Sequence, residues 1–374
     1  MRWTAPMKWL IYRWLSRRRR CSTTPIRRVG IYKADRLGDL VLATGAIHRI
    51  LEHEGTENCI LITSRFSQEL AQAQFPNLEC VCVEPWQTNL RATREYMVAH
   101  RDESLFRHGV DRLVCLRHHR SFQETLVLSS IPARDSWGCL NSDLTREIGQ
   151  FKSPSLFDHL IRDNPSVAGE ARELTRHRRI TSSFIGKLAT EVDVTPHLES
   201  DSSDAGAFAV VSPFGSASIR DFPTALLAAA GTYLWSHHRL PLRILAPPGD
   251  RTRYEALANE LKNSGVLTVM IQSCSTVSEL VSAVASSKLV LSVETATAHI
   301  AAALDRPLVA LLGGGHYGWF APWQRSTKQI WLSHKVPCFQ CNWVCSQPEP
   351  ICITQVQETE VRSAIDQVFT AIRK

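Results

Sequence analysis

The chain has 374 residues, enough for two domains with sizeable cores. Its 44% hydrophobic and 21% charged residues are those of a globular protein, and no apolar run is long enough to span a bilayer. The net charge of +7 is uneven: Arg2, Lys8, Arg13, Arg17 to Arg20, Arg27 and Arg28 lie at the start with no acid among them, so the rest is slightly acidic, which argues against a nucleic-acid partner.

Residues 1–27 read as a basic amphipathic extension. Trp3, Met7, Leu10 and Trp14 recur at helical spacing, while Lys8 and Arg13 break the uncharged core that a signal peptide needs. Such a segment suits the surface of an anionic membrane, with a disordered tail as the competing reading. The expectation is a cytoplasmic protein with peripheral contact at the inner face of the cytoplasmic membrane.

The first domain is expected over 28–198. Val29 to Tyr32 predict a strand, Lys33 to Asp39 a polar loop, and Leu40 onward a helix with Leu40, Ala43, Ile47 and Ile50 on one face. Asp39 falls where a helix dipole stabilises a carboxylate, so it suits either a general base or an N-cap. Strands follow at 58–63, 79–83 and 110–116, with helices at 68–74 and 89–108. The strand at 110–116 ends in Arg117, His118, His119 and Arg120, a basic cluster able to take an anionic acceptor or simply to be solvated. A helix at 121–131, a closing strand at 135–139 and a helix at 181–189 complete the domain. The polar run ESDSSDA marks a linker over 199–206.

The second domain is expected over 207–357. A strand at 208–212 leads into a loop with Ser216, Ser218 and Arg220, where Arg220 can pair with a diphosphate. A helix (224–234) and a strand (242–246) lead to Asp250, which suits a ribose ligand or, more simply, a turn. Leu289 to Gly315 then read strand, tight turn, helix, strand, glycine loop. Thr295, Ala296, Thr297 and His299 stand at the helix start, and Gly313 and Gly314 at the end of the second strand. A helix N-terminus at the carboxyl end of a parallel sheet favours phosphate, although an ordinary crossover that binds nothing has the same pattern. A closing helix is expected over 358–374. No G-x-G-x-x-G follows the first strand, which weighs against a dehydrogenase.

Taken together, YKADRLGDLVLATGAI, VDRLVCLRHHRS, SPFGSASIRDFP and ETATAHIAAALDRPLVALLGG resemble glycosyltransferase family 9, the ADP-heptose:lipopolysaccharide heptosyltransferases, in the family's order. The resemblance implies an α/β GT-B fold, two Rossmann-like doubly wound domains facing a central cleft. It also implies a nucleotide-sugar donor, ADP-heptose favoured, a lipopolysaccharide-core or other glycan or glycolipid acceptor, inversion at the anomeric carbon and no cofactor required for catalysis. Carried over by residue, Asp39 is the base and Arg220 the phosphate-side cation. The family's Asp-Thr-Gly-x-x-His becomes Glu294, Thr295, Ala296, Thr297, Ala298 and His299. Lys33, Arg36, Arg117 and Arg120 are the expected acceptor-binding residues. The changes to Glu294 and Ala296 motivate a second reading, a catalytically weak nucleotide-sugar-binding relative; a third is a nucleotide-sugar epimerase of GT-B shape.

Of the eleven cysteines, Cys338, Cys341, Cys345 and Cys352 cluster as C-x2-C-x3-C-x6-C. Four thiolates at that spacing could hold a structural Zn or Fe, separate from the catalytic centre.

Overall fold

The structure is a computed structural model that describes residues 28–118, 120–139, 156–162, 171–200 and 206–373. The basic segment 1–27, His119 and residues 201–205 of the expected linker lie outside the described residues. The described residues up to 165, together with 175–194, form one compact unit, and 166–174 with 195–373 form a second. Among the described residues no helix is long and apolar enough to cross a membrane.

The first unit holds a parallel sheet of β1 (Val29–Tyr32), β2 (Cys59–Thr63), β3 (Glu79–Cys82), β4 (Val110–Cys115), β5 (Ala133–Cys139) and β6 (His159–Ile161), in the order β3-β2-β1-β4-β5-β6. The second holds β7 (Ala209–Ser212), β8 (Leu242–Ala246), β9 (Val269–Ser273), β10 (Leu289–Val293), β11 (Leu308–Leu311) and β12 (Gln329–Leu332), in the order β12-β11-β10-β7-β8-β9. Both orders are the same doubly wound arrangement. Central strands such as β1, β2 and β10 are buried at every residue, as uninterrupted apolar runs covered on both faces must be, whereas the edge strands β3 and β9 are partly exposed.

The sequence reading places most elements correctly and misses the short edge strands β6 and β12. β6 is three residues long and opens on a histidine, and β12 opens on a glutamine, so neither makes a clear apolar run. The helix read over 89–108 is two helices, Leu90–Ala99 and Ser104–His108, and that read over 181–189 runs Arg172–Ile185. The helix Leu37–Glu54 packs Leu40, Ile47 and Ile50 into the first core and stops at Gly55, whose φ of 84° few other residues adopt. The helix Ala296–Ala303 fully buries Ala298, Ala301, Ala302 and Ala303; the small side chains bring its axis close to β10 and β11.

The direction of winding reverses between β1 and β4 in the first sheet and between β7 and β10 in the second. Ligands of open α/β sheets sit outside the carboxyl ends of such strands. The loops at those four ends carry Lys33 to Asp39, Arg117 to Arg120, Ser216 to Arg220 and Glu294 to His299. The sheet order therefore brings the sequence-predicted residues into two groups, one in each unit.

Candidate active site

In the first unit, Asp39 is the third residue of the helix Leu37–Glu54, half-buried in its first turn, while Arg36 takes the N-cap position. The N-cap reading of Asp39 is thus replaced by a carboxylate lying within the helix start, facing the positive end of the dipole. Arg36 is exposed.

The other three predicted acceptor cations are interior. Lys33 is fully buried, with Nζ 3.4 Å from Asp35 Oδ2, 3.4 Å from the Leu116 carbonyl and 3.5 Å from His177 Nε2. Arg117 is 7% exposed and lies between Asp35 and Glu124, with Nη2 2.6 Å from Glu124 Oε1. Burial works against its charge, but Asp35 and Glu124, with a smaller share from Asp39, hold its pKa above the usual arginine value. Arg120 is buried against Phe157 and donates to the carbonyls of Arg117 and Cys139. Each of these three cations, expected at the acceptor, lies against carboxylates and carbonyls of its own unit, as a low-dielectric interior requires.

Glu124 explains part of this arrangement. Its side chain accepts from the Ser121 N–H at 2.5 Å and closes a capping box at the start of the helix Phe122–Ser129. Burial pushes its pKa up despite Arg117. Arg117 also lies 5.2 Å over the Trp86 ring, and Trp86 meets Phe66, which is 48% exposed, edge to face at 5.4 Å. These two aromatics follow β3 and β2, at the same end of the sheet as Asp39. Sequence reasoning passed over them because lone aromatics in loops carry no periodic signal.

In the second unit, Glu294 directly follows β10 and is 7% exposed. Its Oε2 accepts from Arg220 Nη2 at 2.8 Å, its backbone carbonyl accepts from the same nitrogen at 2.8 Å, and its Oε1 lies 3.6 Å from His299 Nε2. Burial would raise the Glu294 pKa, yet His299 and Arg220, with His316 behind them, hold it below the ordinary 4.5. Arg220 Nη1 donates to Ser216 Oγ at 2.9 Å, and the guanidinium lies 5.3 Å over the Trp343 ring. Ser216 and Ser218 are exposed, so this end of the cluster opens to solvent.

Beside it, Thr295 caps the helix Ala296–Ala303 by backbone geometry alone. Its hydroxyl turns instead to Ser292 Oγ at 3.2 Å. Thr295 and Ala296 are half-buried and Thr297 is 6% exposed. The opening N–H groups of this helix have no intrahelical acceptors and face the same end of the sheet as Arg220. Asp250 is exposed in the loop after β8, at the start of the helix Arg251–Asn263.

The glycine loop makes room for aromatic side chains. A methyl group at Gly313 or Gly315 would collide with the Trp343 ring, and at Gly314 with Phe339. The predicted donor residues Gly313 and Gly314 are glycines because aromatics of the cysteine-rich loop lie on them. Gln340 and Asn342 N–H groups donate to the carbonyls of Gly314 and Gly315 at 2.7 and 3.0 Å, holding Gln340, Asn342 and Trp343 in the left-handed region. Cys338, Cys341, Cys345 and Cys352 line one small cavity under this seam. Among the described residues, however, no three metal-binding side chains stand close enough to hold an ion, so no chemistry is assigned to a metal there.

Sequence reasoning also missed His316, Trp323 and Trp343. Trp323 Nε1 donates to His299 Nδ1 at 3.1 Å, and His316 Nε2 is hydrogen-bonded to Asn342 Oδ1 at 2.8 Å. Only the fold carries these residues to the end of β10.

The family model for glycosyltransferase family 9 (heptosyltransferase) matches residues 235–346, the segment that contains Glu294 to His299, His316, Trp323 and Trp343. No curated protein matches the chain by sequence. Among solved structures, the chain is similar to a family 9 glycosyltransferase from Veillonella parvula, with 13% identity, a TM-score of 0.69 and coverage of 93% of this chain and 98% of the other. E. coli ADP-heptose LPS heptosyltransferase II gives 13% identity and a TM-score of 0.66, covering 93% and 100%. E. coli heptosyltransferase WaaC with ADP-2-deoxy-2-fluoro heptose gives 15% and 0.61, covering 91% and 99%. The fold is GT-B, and the resemblance to family 9 read from the motifs holds.

Proposed function

We propose that this protein is an inverting glycosyltransferase that moves a sugar from a nucleoside-diphosphate donor to a hydroxyl of a glycan or glycolipid acceptor, with ADP-heptose the favoured donor. The observation that carries this reading is what each unit presents at its own switch point. One presents a carboxylate in the first turn of a helix; the other presents an arginine clamp beside an open helix N-terminus. The solved structures with ADP-heptose analogue or ADP support the choice of donor.

In this mechanism the donor diphosphate lies against the N–H groups at Thr295 to Thr297 and against Arg220. Arg220 exchanges its bond to the exposed Ser216 hydroxyl for a phosphate oxygen and keeps its bonds to Glu294. Asp39 removes the acceptor proton as the hydroxyl oxygen attacks the anomeric carbon, and the bond to the diphosphate breaks on the opposite side. A single displacement of that kind inverts the configuration. The negative charge growing on the diphosphate is offset by the guanidinium and the helix dipole. Of the cations assigned to the acceptor by sequence, the exposed Arg36 is the one this reading retains, and the basic N-terminal segment supplies the membrane contact.

Calorimetry with ADP, UDP, GDP and their common sugar conjugates tests the donor site without an acceptor. The expected result is selective ADP binding that Arg220→Ala weakens. Preference for UDP or GDP would overturn the heptose assignment, and absence of binding to all of them would overturn the donor site itself.

A further inference from the structure

We infer that Trp323 is a positioning residue for the donor clamp: its indole fixes His299 as one neutral tautomer, and His299 in that form steers the Glu294 carboxylate that holds Arg220. The inference rests on the proposed donor site and adds to it a residue far from the motif in sequence.

An indole nitrogen only donates, so the 3.1 Å contact from Trp323 Nε1 requires a bare lone pair on His299 Nδ1. The imidazole proton then sits on Nε2, the nitrogen facing Glu294 Oε1. With Oε1 turned to the ring, Oε2 is the oxygen left for Arg220, and it makes that bond at 2.8 Å. Trp323, His299 and Glu294 are 6%, 3% and 7% exposed, so water does not compete for these bonds.

Trp323 is itself held. Its backbone carbonyl accepts from Trp331 Nε1 at 2.7 Å, and its ring lies parallel to the imidazole within 6°. Trp331 lies 5.8 Å from the imidazole on a tilted plane. The ring is therefore walled by two indoles.

Removing the indole N–H leaves Nδ1 able to carry the imidazole proton instead. Nε2 then turns a lone pair toward Glu294 Oε1, the two acceptors repel, and the carboxylate no longer holds Oε2 on Arg220, loosening the guanidinium that the diphosphate needs.

Trp323→Phe keeps an aromatic ring in place and deletes the N–H. The test uses the full chain with nitrogen-15-labelled histidine, and His299 signals are identified by their loss in His299→Gln. In the wild-type protein the neutral ring is expected as the Nε2–H tautomer, read at about pH 8. In Trp323→Phe a share of the neutral ring should shift to the Nδ1–H tautomer, and ADP binding should weaken about tenfold. A structural role alone would lower the melting temperature without moving the tautomer. An Nδ1–H tautomer in the wild type overturns the inference, and so does an unmoved tautomer or unchanged ADP affinity in Trp323→Phe. The tautomer is read without nucleotide. If it is as stated but no nucleotide binds the wild type, the donor-site reading fails and the clamp role fails with it.

Discussion

The two units use one sheet order and opposite electrostatics. At the first switch point the cations are interior: Lys33 is fully buried, and Arg117 and Arg120 are 7% and 2% exposed. They hold the loops that frame Asp39. At the second, Arg220 keeps 16% of its side chain exposed and ends on the exposed Ser216. The buried carboxylates differ in the same way. Glu124 is pushed up by burial in spite of Arg117, whereas Glu294 is held down by His299 and Arg220. A cation cluster at a strand end is therefore not a ligand site by position alone; the half-open one is the one available to an anion.

The sharpest way to break this comparison is Asp39→Asn. Transfer, read by product formation with a saturating donor, should fall by about 100- to 10,000-fold while ADP binding stays unchanged. Normal turnover would remove Asp39 from the role of base. Next in size, Arg117→Met strands Glu124 without its cation and leaves Asp35 with Lys33 alone. Denaturant unfolding should show a loss of about 3–5 kcal/mol, against little change for the exposed Arg36→Met. Stability equal to wild type would show that Arg117 is not structural.

Arg220→Ala removes the open clamp and is expected to weaken ADP about ten- to a hundredfold, with a smaller effect on folding. Gly315→Ala drives a methyl group into Trp343 and should cost about 1–3 kcal/mol of stability, measured by thermal melting. It also displaces the ring beneath Arg220, so ADP affinity should fall with it.

The smallest effect is the pH dependence. Glu294 has a depressed folded pKa, so its contribution is fully present above the ordinary 4.5 and is lost as pH falls through the lower folded value. Glu124 has a raised pKa, so its charge destabilises the fold at neutral pH and that cost is relieved as pH falls toward 4.5. Glu294→Gln should flatten the acid-side loss of stability in urea titrations run at successive pH values, and Glu124→Gln should steepen it. Slopes that move together would refute the contrast.

The sequence by itself determined the two βαβ series, the position of Asp39 at a helix start, and the grouping of Arg220 with Glu294 to His299. These are local properties: apolar runs buried on both faces, a turn, and small residues opening a helix. The tertiary structure alone decided which charges face inward. Lys33 and Arg117 are interior because the ends of β1 and β4 and the helix Phe122–Ser129 bring Asp35, the Leu116 carbonyl and Glu124 together around them, and no spacing along the chain encodes that convergence. It also decided the partners of the clamp. Trp323 and Trp343 lie 24 or more residues beyond His299, in loops without periodicity, and reach it only because β10, β11 and β12 run in parallel and return the chain to the same end of the sheet. Hydrogen bonds and ring contacts are short-ranged, so a side chain's role depends on what the fold places within a few ångströms of it.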